Sequence, residues 1–321
     1  MKLGVFTVLL ANMNYADAFK YLASKGVQAI ELGCGGYPGN AHCNSKELLE
    51  DPAKLEALMA EIKKYDFTVS ALSCHGNPVH PDKAIADAFN EDFENACRLA
   101  QKMGVKRIIT FSGCPGGSPA DKMPNWVTCP WPDDFLKILD YQWDEVLIPY
   151  WKKAVAFAKE YGVEMICFEM HPGFCVYNPE TLLRLRAAVG PEIGANFDPS
   201  HLVWQGMDPV AAITELKDCI FHFHAKDTKI DKYNTAKNGV LSTRHYGQVA
   251  ERPWVFRSVG YGNSTAYWKD IVSALRTIDY DFVMSIEHED SLMSASEGLS
   301  KAIDVLKESM TFEDKGEMWW A

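Results

Sequence analysis

Four short apolar runs in this chain end in side chains that bind cations. Met165-Ile166-Cys167-Phe168-Glu169 continues into Met170-His171-Pro172-Gly173, and Ile193-Gly194-Ala195-Asn196-Phe197-Asp198 into Pro199-Ser200-His201. Ile220-Phe221-His222-Phe223-His224 is followed by Ala225-Lys226-Asp227, and Phe282-Val283-Met284-Ser285-Ile286-Glu287 by His288-Glu289-Asp290. Apolar runs of this length, bounded by Pro and Gly, read as buried parallel strands. One acidic residue at a strand end is ordinary. Glu169, Asp198, His224 and Glu287 at the ends of four such strands predict a single metal site on one rim of a barrel, because a carboxylate among apolar neighbours is costly unless paired or metal-bound.

The whole chain keeps the rhythm that a barrel needs. Eight strand candidates alternate with eight helix candidates along the 321 residues. The strands are expected at residues 2–10, 27–32, 68–73 and 106–111, then at four runs ending in Glu169, Asp198, His224 and Glu287. Helical spacing of apolar residues recurs between them, as in Ala18, Phe19, Leu22 and Ala23, with Gly26 as terminator. Strict alternation implies one closed (β/α)8 TIM barrel spanning 1–321, with no linker or second domain. Two excursions, 113–141 and 227–263, follow strands four and seven and therefore fall on the C-terminal rim, where active sites of this architecture lie. The first holds five prolines with Trp126 and Trp131, and a loop that long is usually functional. The helix at 143–161 contains Pro149 and is expected to kink or start there.

Composition removes several alternatives. A net charge of −11 argues against a nucleic-acid partner, which would want a basic face. Nine cysteines with no CxxC pair fit reduced thiols and a cytoplasmic protein better than a disulfide framework. The apolar start lacks a small-residue cleavage pattern and reads as the first strand. No stretch is long enough to cross a membrane.

Two Glu, one Asp and one His make an oxygen-rich set. Such a set suits one divalent ion in octahedral geometry, Mn2+ first and Mg2+ or Co2+ as alternatives, rather than a structural zinc. A cation there polarises a carbonyl or hydroxyl oxygen, and a positioned carboxylate or imidazole can then remove the neighbouring proton. Returning that proton to the opposite face epimerises, returning it to the next carbon isomerises, and losing a β leaving group eliminates.

The motifs resemble the xylose-isomerase-like superfamily, which includes sugar isomerases, ketose 3-epimerases and inosose dehydratases. The likeness rests on Phe168-Glu169-Met170-His171-Pro172-Gly173, Asp198-Pro199-Ser200-His201, His224-Ala225-Lys226-Asp227 and Ile286-Glu287-His288-Glu289-Asp290. It implies that Glu169, Asp198, His224 and Glu287 hold the metal, that the two glutamates act as bases on opposite faces of the substrate, and that His201 contacts substrate oxygens. Glu31-Leu32-Gly33, Tyr37-Pro38-Gly39 and His75-Gly76-Asn77-Pro78 look like a subgroup of sugar-phosphate isomerases and epimerases. The chain is also similar to catalytic subunits of C-glycoside deglycosidases, which implies an alternative: a lyase that cleaves 3-oxo-glycosides by deprotonation and β-elimination, together with a small partner subunit. The substrate in either case is a small carbohydrate or glycoside. A homo-oligomer is expected for the first reading and a hetero-oligomer for the second.

Further candidates come from strand phase. His171 lies two residues beyond Glu169 on the same face, as a general base or substrate contact. His222 is in phase with His224 as a supporting partner. His75 ends strand three and Arg257 precedes Gly260-Tyr261-Gly262; both are candidate substrate contacts. Glu31 is a weaker candidate in the same rim. Trp319 and Trp320 in the tail predict burial against a neighbour or partner.

Overall fold

The computed structural model describes residues 1–321. Ten strands form in chain order: β1 (Lys2–Phe6), β2 (Ala29–Gly33), β3 (Thr68–Ser73), β4 (Arg107–Thr110), β5 (Met165–Glu169), β6 (Ile193–Phe197), β7 (Ile220–Ala225), β8 (Asp227–Ile230), β9 (Trp254–Arg257) and β10 (Val283–Ile286). Eight of them close into a parallel barrel in the order β1, β2, β3, β4, β5, β6, β7, β10 and back to β1. The remaining pair, β8 and β9, is an antiparallel ribbon inside the second excursion.

Local sequence sets the helices that wrap this barrel. Asn14, Asp82 and Ser264 accept backbone N–H groups at the starts of Tyr15–Ser24, Lys83–Met103 and Thr265–Thr277. Asn178 and Thr181 form a reciprocal capping box on Pro179–Val189. Gly104, at φ 71°, ends the longest helix in the left-handed conformation that a side chain would strain. The main core is one cluster of 66 buried residues, while a separate apolar plug of Ala71, Ile109 and Cys167 sits inside the barrel, with Phe6 buried against His224 nearer the mouth. Most hydrophobic stabilisation therefore lies outside the barrel wall, between strands and helices, which leaves the interior free to be polar.

Above the plug the interior is polar. On β7, His222 and His224 point inward at alternate positions and Lys226 continues the series just beyond the strand. Two register shifts interrupt the otherwise regular pairing, at Ile30/Glu31 and at Ala195/Asn196. Each sits immediately before a buried polar side chain, consistent with bulges re-aiming residues next to a site.

Two expectations about elements change. β1 ends at Phe6, and Thr7–Leu10 turns into a 3-10 helix that buries Thr7 and Leu10. The helix expected from 143 begins earlier, as Asp134–Asp140, passes through a π turn at Tyr141–Leu147, and continues as Ile148–Glu160. Pro149 lies in the first turn of that last segment, where its missing N–H is tolerated, and the π turn takes up the extra residue. The π turn also buries Gln142, whose Nε2 donates to the carbonyls of Pro115 at 3.1 Å, Gly116 at 3.2 Å and Asn125 at 2.6 Å and so pins the first excursion.

Asp227 pins the second. Its carboxylate accepts the backbone N–H groups of Thr228, Gly260, Gly262 and Asn263, together with Asn263 Nδ2 at 2.7 Å and Trp268 Nε1 at 3.3 Å. Removing it strands several buried donors at once. Asp227→Ala is expected to lower the unfolding free energy by about 3 kcal/mol. Urea denaturation checks this, and a loss below about 0.5 kcal/mol would show that other contacts hold the excursion.

Candidate metal centre and active site

The C-terminal mouth of the barrel brings all four sequence-predicted ligands together. One oxygen each from Glu169, Asp198 and Glu287 and one nitrogen of His224 lie within 4.8 Å of one another. A single cation at about 2.0–2.3 Å from each can bridge that spacing. His224 Nδ1 lies 3.0 Å from Glu169 Oε2 and 3.1 Å from Glu287 Oε2, and Asp198 Oδ2 lies 3.1 Å from Lys226 Nζ and 3.3 Å from His201 Nε2. Three carboxylates gathered in a buried site around one imidazole concentrate negative charge at one point, a donor set that fits a cation. Mixed oxygen and nitrogen donors agree with a divalent ion.

The layer beneath fixes how the imidazole is presented. His224 Nε2 donates to Glu31, 2.9 Å from both carboxylate oxygens, so the Nδ1 lone pair can face the cluster. Glu31 is itself held by Ser73 Oγ at 2.6 Å and Ser285 Oγ at 2.7 Å. Asn196 links two arms of the site: its Nδ2 donates to Glu169 Oε2 at 3.2 Å and its Oδ1 accepts from His222 Nδ1 at 2.8 Å. Glu31, His222 and His224 also cluster closely enough to hold an ion, but these hydrogen bonds already occupy them.

His201 and His75 flank Glu169. His201 Nε2 donates to Oε1 at 2.9 Å and His75 Nε2 to Oε2 at 3.1 Å. Both therefore orient the carboxylate, and His75 also lines the main cavity. His171 Nδ1 donates to the Pro172 carbonyl at 2.6 Å, which leaves Nε2 as the free acceptor. Its ring stands 4.1 Å from that of His201, centroid to centroid. The cavity above the cluster has a volume of about 620 Å³ and is walled on one side by Phe111 stacked on Phe174 at 4.2 Å.

Arg257 does not join them. Its Nε donates to buried Asp290 at 2.9 Å, and it borders neither this cavity nor the one beside it. Trp319 and Trp320 are 87% and 68% exposed within the chain. The sequence also left Lys226 and Glu289 without a role. Lys226 Nζ lies 3.1 Å from Asp198, 2.9 Å from Glu287 and 3.1 Å from Glu289. The signal was available: Lys226 follows His222 and His224 at the same two-residue interval, and Glu289 follows Glu287.

Burial opposes every charge here, and neighbours decide which survive. Burial lifts the Asp198 carboxyl to about 7, despite the Lys226 ammonium. It would raise Glu169 and Glu287 too, but hydrogen bonds from His201, His224 and His75 hold Glu169 well below its usual range, and the Lys226 ammonium chiefly holds Glu287 down. His224 runs the other way: burial disfavours its cation, yet Glu31 and Glu287 keep it well above the usual imidazole range. Burial pushes His171 down to about 4, so it is neutral near pH 7 and its Nε2 can accept a proton.

Residues 19–309 match the family described as xylose isomerase-like TIM barrel. The chain belongs to that family. The uncharacterized protein YfiH of Bacillus subtilis (strain 168) is 39% identical over 313 residues, covering 97% of this chain and 100% of that one. Inosose dehydratase of Mesomycoplasma hyopneumoniae (strain 7448) is 22% identical over 284 residues, covering 82% and 85%. The crystal structure of the IOLI protein with a binding zinc atom superposes with a TM-score of 0.67 at 17% identity, covering 97% and 100%, which shows a shared fold.

One equivalent of Mn2+ is expected to bind, and Glu31→Gln should weaken it about 10- to 100-fold by releasing the His224 ring. Binding should also tighten from pH 6 to pH 8. Asp198 and His224 hold protons at the lower pH, with folded values at about 7 and raised respectively, and these must leave before the ion enters. Calorimetric titration reads both effects. An unchanged affinity in Glu31→Gln rules out its positioning role, and an affinity that falls with pH rules out the ligand assignment.

Proposed function

We propose that the protein is a divalent-metal-dependent carbohydrate isomerase or epimerase that abstracts a proton beside a polarised carbonyl. The observation that carries this is the convergence of Glu169, Asp198, His224 and Glu287 beneath an open cavity, with the unbonded His171 Nε2 at its edge. Mn2+ suits that donor set, with Mg2+, Co2+ or zinc as alternatives.

A cation held by those four groups would supply the electrophile that makes the neighbouring C–H acidic. The chain does the rest. Glu169 has accepted imidazole N–H groups on both oxygens, so it is held in one orientation rather than free to swing. Glu287 is anchored by Lys226 but remains 15% exposed, open to the cavity. These two carboxylates, or the neutral His171 Nε2, take the proton and return it. Phe111 and Phe174 shield that exchange from water on one side.

A second reading has its own support. Lys226 presents a buried ammonium on the cavity wall between Glu287 and Glu289, and a departing oxygen that displaced the half-exposed Glu289 carboxylate would become one of its three acceptors. This suits β-elimination, and a relative named as a dehydratase spans most of the chain. A lyase acting on 3-oxo-glycosides would follow, with a small partner subunit; the exposed Trp319 and Trp320 give such a partner, or a second copy, an apolar contact.

The Mn2+-loaded protein should be offered simple ketoses, inososes and 3-oxo-glycosides in deuterated water. Deuterium entering beside the carbonyl is the expected result; a new epimer or an aldose formed from the ketose supports the first reading and release of the aglycone or water the second. His171→Asn should reduce exchange about 10²- to 10⁴-fold with metal affinity unchanged. Failure of all three substrate classes to exchange would overturn the proposal.

A further inference from the structure

A second cavity of about 370 Å³ lies on the far side of the His171 and His201 pair, between the two excursions. Its walls contrast with those of the metal centre. Arg244, Arg252, His245 and the paired histidines line it, and no acidic residue does. Arg244 is paired with Glu251 at 2.7 Å, which leaves Arg252 as the cavity's unpaired arginine in a chain of net charge −11.

Arg252 is its most unusual member. The side chain is 2% exposed, yet it forms no ion pair. Its Nε donates to the Trp254 carbonyl at 3.3 Å and its Nη1 to the Arg244 carbonyl, while Nη2 makes no hydrogen bond. The rings of Tyr246 and Trp254 lie 4.2 Å and 4.5 Å from the guanidinium carbon. Aromatic faces favour a cation but do not neutralise it, and a buried guanidinium without a counter-charge is costly. Two further unpaired donors lie in the cavity's walls: the buried indole nitrogens of Trp204 and Trp126 have no acceptor, and both rings also border a smaller neighbouring cavity of about 180 Å³. Trp204 is held by stacking on Trp254 at 4.5 Å and 8°.

We propose that this cavity is an oxyanion subsite, taking a carboxylate or phosphate ester carried by the substrate whose reacting carbon lies at the metal centre. The proposal rests on the carbohydrate reading only for what carries the oxyanion. An anionic substituent could not sit among Glu169, Glu287 and Glu289 without repulsion. The subsite holds it on the other side of two histidines, and Arg252 Nη2 with an indole N–H gives it directional donors.

The test uses the full-length protein loaded with Mg2+ and three probes: glucose, glucuronate and glucose 6-phosphate. Calorimetry should show at least one anionic sugar binding about tenfold more tightly than glucose, and which one distinguishes carboxylate from phosphate. Arg252→Gln should abolish that preference while leaving Mg2+ affinity unchanged. Should that variant fail to fold, Trp204→Phe keeps the stacked ring and removes the N–H, and should cut the preference about three- to tenfold. Equal affinity for all three probes, or a preference that survives whichever variant folds, overturns the subsite. Loss of Mg2+ binding in the wild type with the anion preference intact would instead count against the metal-dependent function and leave the subsite standing.

Discussion

The balance of charge inside the barrel governs everything built around it. Glu31, Glu169 and Asp198 are fully buried and Glu287 nearly so, a concentration of carboxylate that a low-dielectric interior resists strongly. Lys226 and a protonated His224 answer part of that charge. Ion pairs of this kind stabilise little once desolvation is counted, so stability alone gives no reason to assemble them. The metal site proposed above, which would trade the His224 proton for a divalent ion, would give one. The buried lysine then keeps Asp198, Glu287 and Glu289 collected near one point, and Glu31 keeps His224 turned toward it.

The scaffold makes that concentration tolerable. Most of the apolar core lies outside the barrel wall, where helices cover the strands, and the interior contributes a small plug with Phe6 above it. Interior positions are thus released from packing and available for chemistry. Strand β7 uses this most fully. Its alternate residues descend from Lys226 at the mouth through His224 to His222, and each meets a different neighbour: carboxylates at the rim, Glu31 below, and Asn196 deeper still. The register shift before Asn196 brings it opposite both Glu169 and His222, so one side chain ties strands β5, β6 and β7 together.

The barrel and the clustering of Glu169, Asp198, His224 and Glu287 were legible because strand periodicity and strand ends are local properties. Each apolar run announces a strand, its last polar residue announces the rim, and closure follows from eight repeats. The same reasoning gave His171 and His75 their places. It failed where partners come from distant elements. Arg257 was singled out for its charge beside a glycine-rich loop, but β9 pairs it opposite Asp227 at the base of the ribbon and Asp290 captures it. Lys226 was passed over because a lysine after a strand is usually solvated; only the closed barrel shows that its ammonium has nowhere to go except among carboxylates. Residues 7–10 continue the apolar pattern of the first strand and give no hint that they turn, since burial of Thr7 and Leu10 satisfies a 3-10 turn as well as a strand.

The two histidines at the centre separate environments of opposite sign. On one side of His171 and His201 are the acidic ligands and the Phe111 wall; on the other are two arginines and unpaired indole donors. Neither half is dictated by the barrel, which needs only its strands and helices. The acidic half is carried by strand ends, the most rigid part of the molecule, as a metal site demands. The basic half is carried by the excursions, pinned at Gln142 and Asp227 rather than by sheet hydrogen bonds to the barrel. On the function proposed above, the strands would set the reaction type and the excursions the choice of substrate, because the excursions are attached to the barrel at only a few anchoring side chains.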